Sequence, residues 1–95
     1  MSLWVRTIWI TGPPSEVEEA ARSHRQRLGE LAREGRLHVS GVVGDDQGFV
    51  DVFEARDRLE AEAEARASAL VERGLGAWTV RRWTDTEDLP QGAKK

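Results

Sequence analysis

The chain has 95 residues, of which 39% are hydrophobic and 33% charged, the size and composition of one soluble globular domain. Its net charge of −3 is spread without a basic stripe, no apolar run reaches membrane-spanning length, and the first residues lack a signal-peptide pattern; we therefore expect a cytoplasmic protein with neither a nucleic-acid nor a membrane partner. The absence of cysteine excludes disulfides, thiolate catalysis and cysteine-bound metals.

A strand and a long helix are predicted at the start of the chain. Residues 2–11 are rich in β-branched and aromatic side chains, and both alternating sets are apolar, which indicates a strand covered on both faces. The helix is predicted to start at Ser15, which forms a capping box with Glu18, and to run to about Glu34, where Gly35 supplies a left-handed stop. Its apolar stripe has helical spacing and consists of Val17, Ala21, His24, Leu28 and Leu31.

A β-hairpin is predicted after this helix. A strand at residues 36–43 leads into a glycine-bracketed loop at residues 44–48, and a third strand follows directly. In the third strand Asp51 shares a face with two phenylalanines, Phe49 and Phe53, while valines occupy the other face. The third strand is therefore apolar on both faces, as the first is.

A second helix, a fourth strand and a tail complete the chain. Asp57 and Glu60 predict the start of the helix through a second capping box. The apolar stripe of this helix is predicted to consist of Leu59, Ala63, Ala67 and Leu70. A strand at residues 77–83 ends a single domain at residues 1–83, and the polar residues 84–95 are predicted to form a tail.

The order β-α-β-β-α-β predicts an α+β fold, the ferredoxin-like sandwich, with a four-stranded antiparallel sheet and two helices on one face. The helices can cover only one face of the sheet, yet the first and third strands are apolar on both. A large exposed apolar face typically marks an interface. We therefore expect a homodimer in which two sheets pack face to face.

An ordered set of short segments over residues 3–83 resembles one protein family. The segments are His24 with Leu28 and Leu31, Glu34-Gly35-Arg36-Leu37, Ser40-Gly41, the loop at residues 44–48, Glu54-Ala55, Arg73-Gly74-Leu75 and Val80-Arg81-Arg82-Trp83. In these segments the chain resembles the YciI-like (YCII-related) proteins. The resemblance implies a dimeric α+β barrel. Monooxygenases and isomerases that need no cofactor belong to the wider superfamily, so it also implies proton transfer on a small cyclic or carbonyl compound without a cofactor.

The resemblance is incomplete at one of the family's two proposed active-site residues. The family has a helix histidine, which His24 matches, and an aspartate before a proline on the second helix. Here Ser68 stands at the aspartate position and Ala69 at the proline position. A serine cannot stabilise an imidazolium as a carboxylate does. Either the pair is lost, or another carboxylate has taken the role.

His24 and Asp51 are the candidate catalytic residues. A histidine on an apolar stripe can serve as general acid or base, and Asp51 is costly to bury unless it is paired. Our hypothesis is that Asp51 replaces the missing aspartate by pairing with His24. In the alternative, His24 is a core residue bonded to a backbone carbonyl, and Asp51 meets solvent or an arginine such as Arg6.

Three further residues are candidates for lining a ligand pocket: Trp9, Ser68 and Arg82. Trp9 lies near the end of the first strand and could form an aromatic wall, although strand tryptophans more often anchor a core or an interface. Arg82 could hold an anionic ligand, or it could lie in solvent at a strand end. The two histidines and scattered acids have no metal-ligand spacing, so no metal site is expected.

Two classes of function follow from the sequence. In the first, the protein binds or transforms a small molecule in a cleft near His24. In the second, it is a non-catalytic dimeric module for interaction or regulation, which has lost the family's histidine–aspartate pair. A cavity at His24 with a carboxylate on the imidazole favours the first class, and a dry histidine bonded to main chain favours the second.

Overall fold

A computed structural model describes residues 1–84 of the chain. All but Thr84 of the predicted tail therefore lies outside the described residues. Within them the elements are β1 (Ser2–Ile10), α1 (Pro14–Arg33), β2 (Leu37–Val43), β3 (Gly48–Ala55), α2 (Arg58–Arg66), α3 (Ala69–Glu72) and β4 (Gly76–Trp83).

The four strands form one antiparallel sheet in the order β2-β3-β1-β4. The helices pack on one face of it, so the predicted α+β ferredoxin-like fold is confirmed. The two central strands, β1 and β3, carry the buried residues, whereas β2 is an edge strand that is mostly exposed. No helix among residues 1–84 is long and apolar enough to cross a membrane.

The core lies between the sheet and the helices and has two parts. One part joins α2 to the sheet through Ala61 and Ala65, which pack with Trp4 and Phe53. The alanines have short side chains, so the helix lies close to the aromatic rings of the sheet. The other part joins α1 and α3 to the sheet and consists of Ile8, Ala20, Ala21, Phe49, Leu70 and Leu75.

The first helix begins one residue earlier than predicted, at Pro14. Pro13 is the N-cap and makes no side-chain hydrogen bond, so the predicted capping by Ser15 is wrong. A proline in the first turn lacks only an N–H group that would have no partner there, and its fixed φ suits a helix. The predicted end is confirmed, because Gly35 follows the helix with a φ of +74°.

The second helix buries a different face from the one predicted. Asp57 caps it as expected, accepting a hydrogen bond from the Glu60 amide at 2.9 Å. The predicted stripe is wrong, since Leu59 is 78% exposed. The helix ends at Arg66, and a break separates it from α3. Leu70 belongs to α3 and is buried, but because of the break it does not lie on the same helical stripe as the residues of α2. The buried residues of this segment are Ala61, Glu64, Ala65, Ser68 and Leu70, of which only Leu70 belongs to the predicted stripe.

The face of the sheet without helices is apolar. The register of the ladders places Val5, Thr7 and Trp9 of β1 beside Val50 of β3 on this face. On the edge strand, Val39 shares the face because a bulge between Leu37 and Val39 shifts its pairing onto Val52. Trp9 and Val39 are 48% and 54% exposed. Apolar surface of this kind is what the sequence pattern of β1 and β3 predicts.

Candidate functional site

A buried ion pair joins the two central strands. Arg6 of β1 and Asp51 of β3 are partners in the antiparallel ladder, and both side chains have no exposed surface. Arg6 Nε donates to Asp51 Oδ2 at 2.9 Å, and Arg6 Nη2 lies 2.8 Å from the same oxygen. Arg6 Nη1 also donates to the Glu64 carbonyl at 3.1 Å, near the end of α2. The guanidinium therefore fixes the carboxylate and ties the sheet to α2.

His24 reaches this ion pair from α1. Its Nε2 lies 3.4 Å from Asp51 Oδ2, and its Nδ1 lies 2.9 Å from Ser68 Oγ. The imidazole is fully buried, and its ring centre is 4.7 Å from that of Phe49. Both ring nitrogens thus face side chains, one a carboxylate and one a hydroxyl. The carboxylate belongs to Asp51 and the hydroxyl to Ser68, and both residues are far from His24 in the sequence.

Ser68 determines which ring nitrogen carries the proton in the neutral imidazole. Its side chain caps α3 and accepts a hydrogen bond from the Leu70 amide at 3.2 Å. With that lone pair engaged, the hydroxyl proton is free to point to His24 Nδ1. The proton of neutral His24 is therefore assigned to Nε2, where it faces the carboxylate of Asp51, because the opposite tautomer would set a lone pair against a negative charge.

Three buried polar atoms of this cluster make no hydrogen bond to any described residue. They are Arg6 Nη2, His24 Nε2 and Asp51 Oδ1. Asp51 Oδ2 faces the guanidinium of Arg6 and the imidazole of His24, and Oδ1 has no donor among the described residues. A buried polar atom without a partner costs about 1–3 kcal/mol, and native proteins have few of them. Arg6 Nη2 and His24 Nε2 keep ion-pair contacts with Oδ2, so the hydrogen-bonding capacity that the described fold leaves unused is concentrated at Asp51 Oδ1.

A second polar contact lies beside the cluster, between α1 and α2. Arg27 donates to both carboxylate oxygens of Glu64, from Nε at 2.9 Å and from Nη2 at 2.7 Å. Burial alone would raise the pKa of Glu64, but the hydrogen bonds and charge of Arg27 outweigh it and hold the pKa below its usual range. The same hydrogen bonds raise the pKa of Arg27. This ion pair holds the two helices together over the buried cluster.

A cleft of about 410 Å³ opens between α1 and the edge strand β2. The helix wall of the cleft follows one stripe of α1, formed by Arg25, Leu28, Gly29 and Ala32. Gly29 and Ala32 are small, which keeps the helix wall back from the strand. Arg25 is the only charged side chain among the lining residues of the described chain.

The sheet wall of the cleft brings it next to the buried cluster. Ser40, Val42 and Phe49 line this wall. Ser40 is the ladder partner of Asp51, so Ser40, Asp51 and Arg6 form one row across three strands. Phe49 contacts the cleft and the ring of His24 together. His24 itself does not line the cleft, and Phe49 stands between them.

The structure brings three of the predicted site residues together and leaves two apart. His24, Asp51 and Ser68 meet in the buried cluster. Trp9 lies on the face without helices, where it lines a depression of about 320 Å³ with Thr7 and Thr79, and Arg82 is exposed on β4.

Asp51 lies against both His24 and Arg6, so the contact named in the hypothesis and the arginine contact named in the alternative occur together, whereas the hydrogen bond of His24 is to the side chain of Ser68. Sequence reasoning considered Arg6 only in that alternative. The sequence feature that points to Arg6 is its charge within the apolar run of β1. Arg6 lies on the face of the strand that also carries Trp4 and Ile8. The pair formed by Arg27 and Glu64 left no comparable signal, because charged residues are common on helices.

Comparison with known proteins identifies the fold. No family model matches the chain, and no curated protein matches its sequence. Among solved structures, it is similar to TftG, the 5-chloro-2-hydroxyhydroquinone dehydrochlorinase of Burkholderia phenoliruptrix AC1100, in complex with 2,5-dihydroxybenzoquinone. The TM-score is 0.75 at 20% identity, over 90% of this chain and 97% of TftG.

A second similar structure is SnoaB, a cofactor-independent oxygenase from Streptomyces nogalater. Its TM-score is 0.53 at 18% identity, over 94% of this chain and 96% of SnoaB. At these identities the likeness concerns the fold alone. This chain has the α+β ferredoxin-like fold of these two proteins.

Proposed function

We propose that this protein catalyses proton transfer on a small cyclic carbonyl or hydroxylated compound, without a cofactor, and that the compound binds in the cleft between α1 and β2. One observation carries the proposal: three buried polar atoms of Arg6, His24 and Asp51 have no hydrogen-bond partner among residues 1–84. A polar cluster that only supported the fold would gain stability by pairing them. A ligand with a carbonyl or hydroxyl group would supply the missing donors and acceptors.

In this proposal each residue of the cluster has a role, and the substrate reaches them by displacing the Phe49 ring, which separates the cleft from His24. Asp51 Oδ2 is held by Arg6, so Oδ1 accepts the proton that leaves a substrate carbon next to a carbonyl group. The electron pair of the broken C–H bond moves into the enolate. His24 Nε2 donates a hydrogen bond to the enolate oxygen. The proton then returns from Asp51 to a different carbon, so that the product is an isomer and the residues are regenerated.

The fold neighbours support this class of chemistry. One is named a dehydrochlorinase of a chlorinated hydroxyhydroquinone and the other a cofactor-independent oxygenase. We propose that the chain belongs with the YciI-like proteins within this fold. In this chain the carboxylate of the family's pair would come from Asp51 on β3, since Ser68 occupies the expected position on the second helix.

A second function has an observation in its favour. His24 has no exposed surface and does not line the cleft, because Phe49 intervenes. In a non-catalytic dimeric module the cluster would hold α1 and α3 to the sheet and do nothing more. The hydrogen bond of the imidazole with Ser68 and its contact with Asp51 involve side chains rather than main chain, which argues for the enzyme.

We propose in addition that the protein is a homodimer joined through the face of the sheet without helices. Val5, Thr7, Trp9 and Val50 lie on this face, and Arg81 is ladder partner to Val5. Apolar side chains of β1, β2 and β3 lie together on this face, and a large exposed apolar face typically marks an interface. A twofold pair of such faces would bury it symmetrically.

Deuterium exchange tests the proposed function without knowledge of the natural substrate. The protein is incubated in D₂O with 5-chloro-2-hydroxyhydroquinone and with cyclic 1,3-diketones, and NMR follows the loss of the carbon-bound protons. We expect the wild-type protein to accelerate the loss over the uncatalysed rate. We expect His24→Gln to lower that acceleration at least about 100-fold, as loss of a general acid or base does.

His38→Gln is the matched control, because it removes the chain's other histidine from an exposed position on β2. Circular dichroism and the urea midpoint establish that both variants are folded. The proposal requires exchange that survives His38→Gln and is lost in His24→Gln. Equal rates in the two variants, or no acceleration by the wild-type protein with any compound, would favour the non-catalytic module.

A further inference from the structure

The cleft between α1 and β2 has one cation at its wall and no anion among the described lining residues. That cation is Arg25, which is exposed and lies with its guanidinium carbon 5.5 Å from the centre of the Phe49 ring. The rest of the lining is aliphatic, aromatic or glycine, apart from the Ser40 hydroxyl. An apolar cleft with a single positive charge is suited to a ligand that is largely apolar and carries one negative charge.

Arg25 and Arg27 lie on the same helix but differ in the partners that they have within residues 1–84. Arg27, two residues along the same helix, is bonded to Glu64 and to Glu30, so its charge is already compensated. Arg25 contacts Phe49 and makes no ion pair or hydrogen bond with a described residue. A planar guanidinium with free donors matches the geometry of a carboxylate or a phenolate oxygen.

Phe49 connects this cation to the buried cluster. Arg25 and His24 both contact its ring, at 5.5 Å and 4.7 Å between the respective centres. A ligand whose charged group is held by Arg25 therefore lies with its apolar body along Leu28 and Phe49. Its far end is then directed toward His24 and Asp51. A cleft of about 410 Å³ has room for a ligand built on one aromatic ring with its substituents.

We propose that the cleft binds a planar one-ring organic anion, and that Arg25 is the residue that recognises its charged oxygen. The inference rests on the proposed function, because it specifies the substrate class of the same site. It predicts that charge, rather than shape, distinguishes good ligands from poor ones. It also predicts that the discrimination resides in Arg25 and is absent elsewhere on the surface.

The test compares two ligands of nearly identical shape, 2,5-dihydroxybenzoate and 2,5-dihydroxybenzamide. Each is titrated into ¹⁵N-labelled protein, and the dissociation constant is read from the amide signals of Gly29 and Gly41, which lie in the cleft wall. We expect the benzoate to bind at least about 10-fold more tightly than the amide. Arg25→Gln should abolish this preference while leaving the affinity for the amide within about twofold of the wild-type value.

Arg66→Gln is the matched control. Arg66 lies 5.5 Å over the ring of Trp78, so the variant removes the same charge and the same kind of aromatic contact away from the cleft. It should retain the preference for the benzoate. The inference is overturned if wild-type protein binds both ligands equally, or if the preference persists in Arg25→Gln.

The outcomes also separate this inference from the proposed function. If both ligands shift the cleft amides equally and His24-dependent exchange is observed, the proposed function stands and the role of Arg25 is wrong. If neither ligand shifts Gly29 or Gly41, the cleft is not the ligand site, and both proposals fail.

Discussion

At the scale of single residues, the decisive feature is a carboxylate with no exposed surface. Asp51 meets Arg6 and His24 through the same oxygen, and its other oxygen has no donor among the described residues. Burying a charge costs several kcal/mol unless it is paired and hydrogen-bonded. Each member of the ion pair therefore depends on the other for its burial, and Asp51 Oδ1 is left for a ligand.

Removal of one charge from the pair should be costly. Asp51→Asn leaves the buried guanidinium of Arg6 without its counter-charge, so we expect the free energy of unfolding to fall by about 3–5 kcal/mol. Urea denaturation at fixed protein concentration measures the change. Asp45→Asn, in the exposed loop between β2 and β3, is the control and should change stability by less than about 0.5 kcal/mol. A loss below about 1 kcal/mol for Asp51→Asn would mean that the pair is hydrated and that the buried cluster is not dry.

Periodicity is enough to predict part of the site. The stripe of α1 places His24 in the interior, and the alternation of β3 places Asp51 on the same face as Phe49 and Phe53. The contact between His24 and Asp51 could be proposed from the sequence but not established by it, because the contact depends on how α1 crosses the sheet. The pairing of Arg6 with Asp51 depends on the register of β1 against β3, which is set by the whole sheet.

At the scale of elements, the sequence predicts their order better than their exposed faces. The order of strands and long helices was predictable from turn residues and hydrophobic period. The buried face of α2 was not, because alanines form it and a glutamate shares it. Glu64 is tolerated there chiefly through Arg27, a partner 37 residues away, with Arg36 at 3.9 Å as a second cation. Alanine carries little hydrophobic signal, so the exposed Leu59 dominated the pattern.

The ion pair between α1 and α2 should make stability dependent on pH. The pKa of Glu64 is lowered in the folded state, so the folded protein binds fewer protons than the unfolded chain. Its contribution is complete above the ordinary glutamate pKa of about 4.3 and is lost as the pH falls through the lower folded value. Glu64→Gln should lower the free energy of unfolding by about 1.5–3 kcal/mol at pH 7. It should also flatten the acid limb of the stability curve, which is the fall in that free energy as the pH is lowered.

Unfolding in urea at pH 7 and at pH 3 measures both effects. Glu62→Gln is the control, since Glu62 has only weak contacts of 3.7–3.8 Å with Arg66 and Arg58. It should cost less than about 0.5 kcal/mol and preserve the acid limb. An acid limb unchanged in Glu64→Gln would contradict the lowered pKa.

Gly29 holds the cleft open at a cost to its helix. A methyl group added there would meet only Arg33 Nη1, at 3.5 Å, which is ordinary contact. Gly29→Ala should therefore raise the free energy of unfolding by about 0.5–1 kcal/mol through better helix propensity. Gly48→Ala is the contrasting variant, because its methyl group would lie 2.6 Å from the Ile8 carbonyl oxygen, and it should destabilise. Thermal unfolding of the two variants should shift in opposite directions, and a loss of stability in Gly29→Ala would show that the helix needs glycine there.

At the scale of the whole molecule, the proposed homodimer covers the second face of the sheet. We expect sedimentation equilibrium to give twice the chain mass of 10.6 kDa. Val39→Glu places a charge on the apolar face and should dissociate the dimer. Leu59→Glu is the control: Leu59 is more exposed than Val39, but it belongs to α2 on the opposite side of the sheet. A wild-type monomer, or a monomer produced equally by both variants, would contradict the proposed interface.

The central claim is that the polar cluster serves chemistry rather than the fold. The direct measurement is the unfolding free energy of a triple variant in which Arg6→Met, His24→Phe and Asp51→Leu replace the cluster with apolar side chains. The Glu64 carbonyl keeps a hydrogen bond from the Ala67 amide in that variant, at 3.1 Å, and Ser68 still caps α3. Our account predicts stability equal to or above that of the wild-type protein, together with complete loss of proton exchange. A triple variant destabilised by more than about 3 kcal/mol would show that the cluster is retained to hold the domain together.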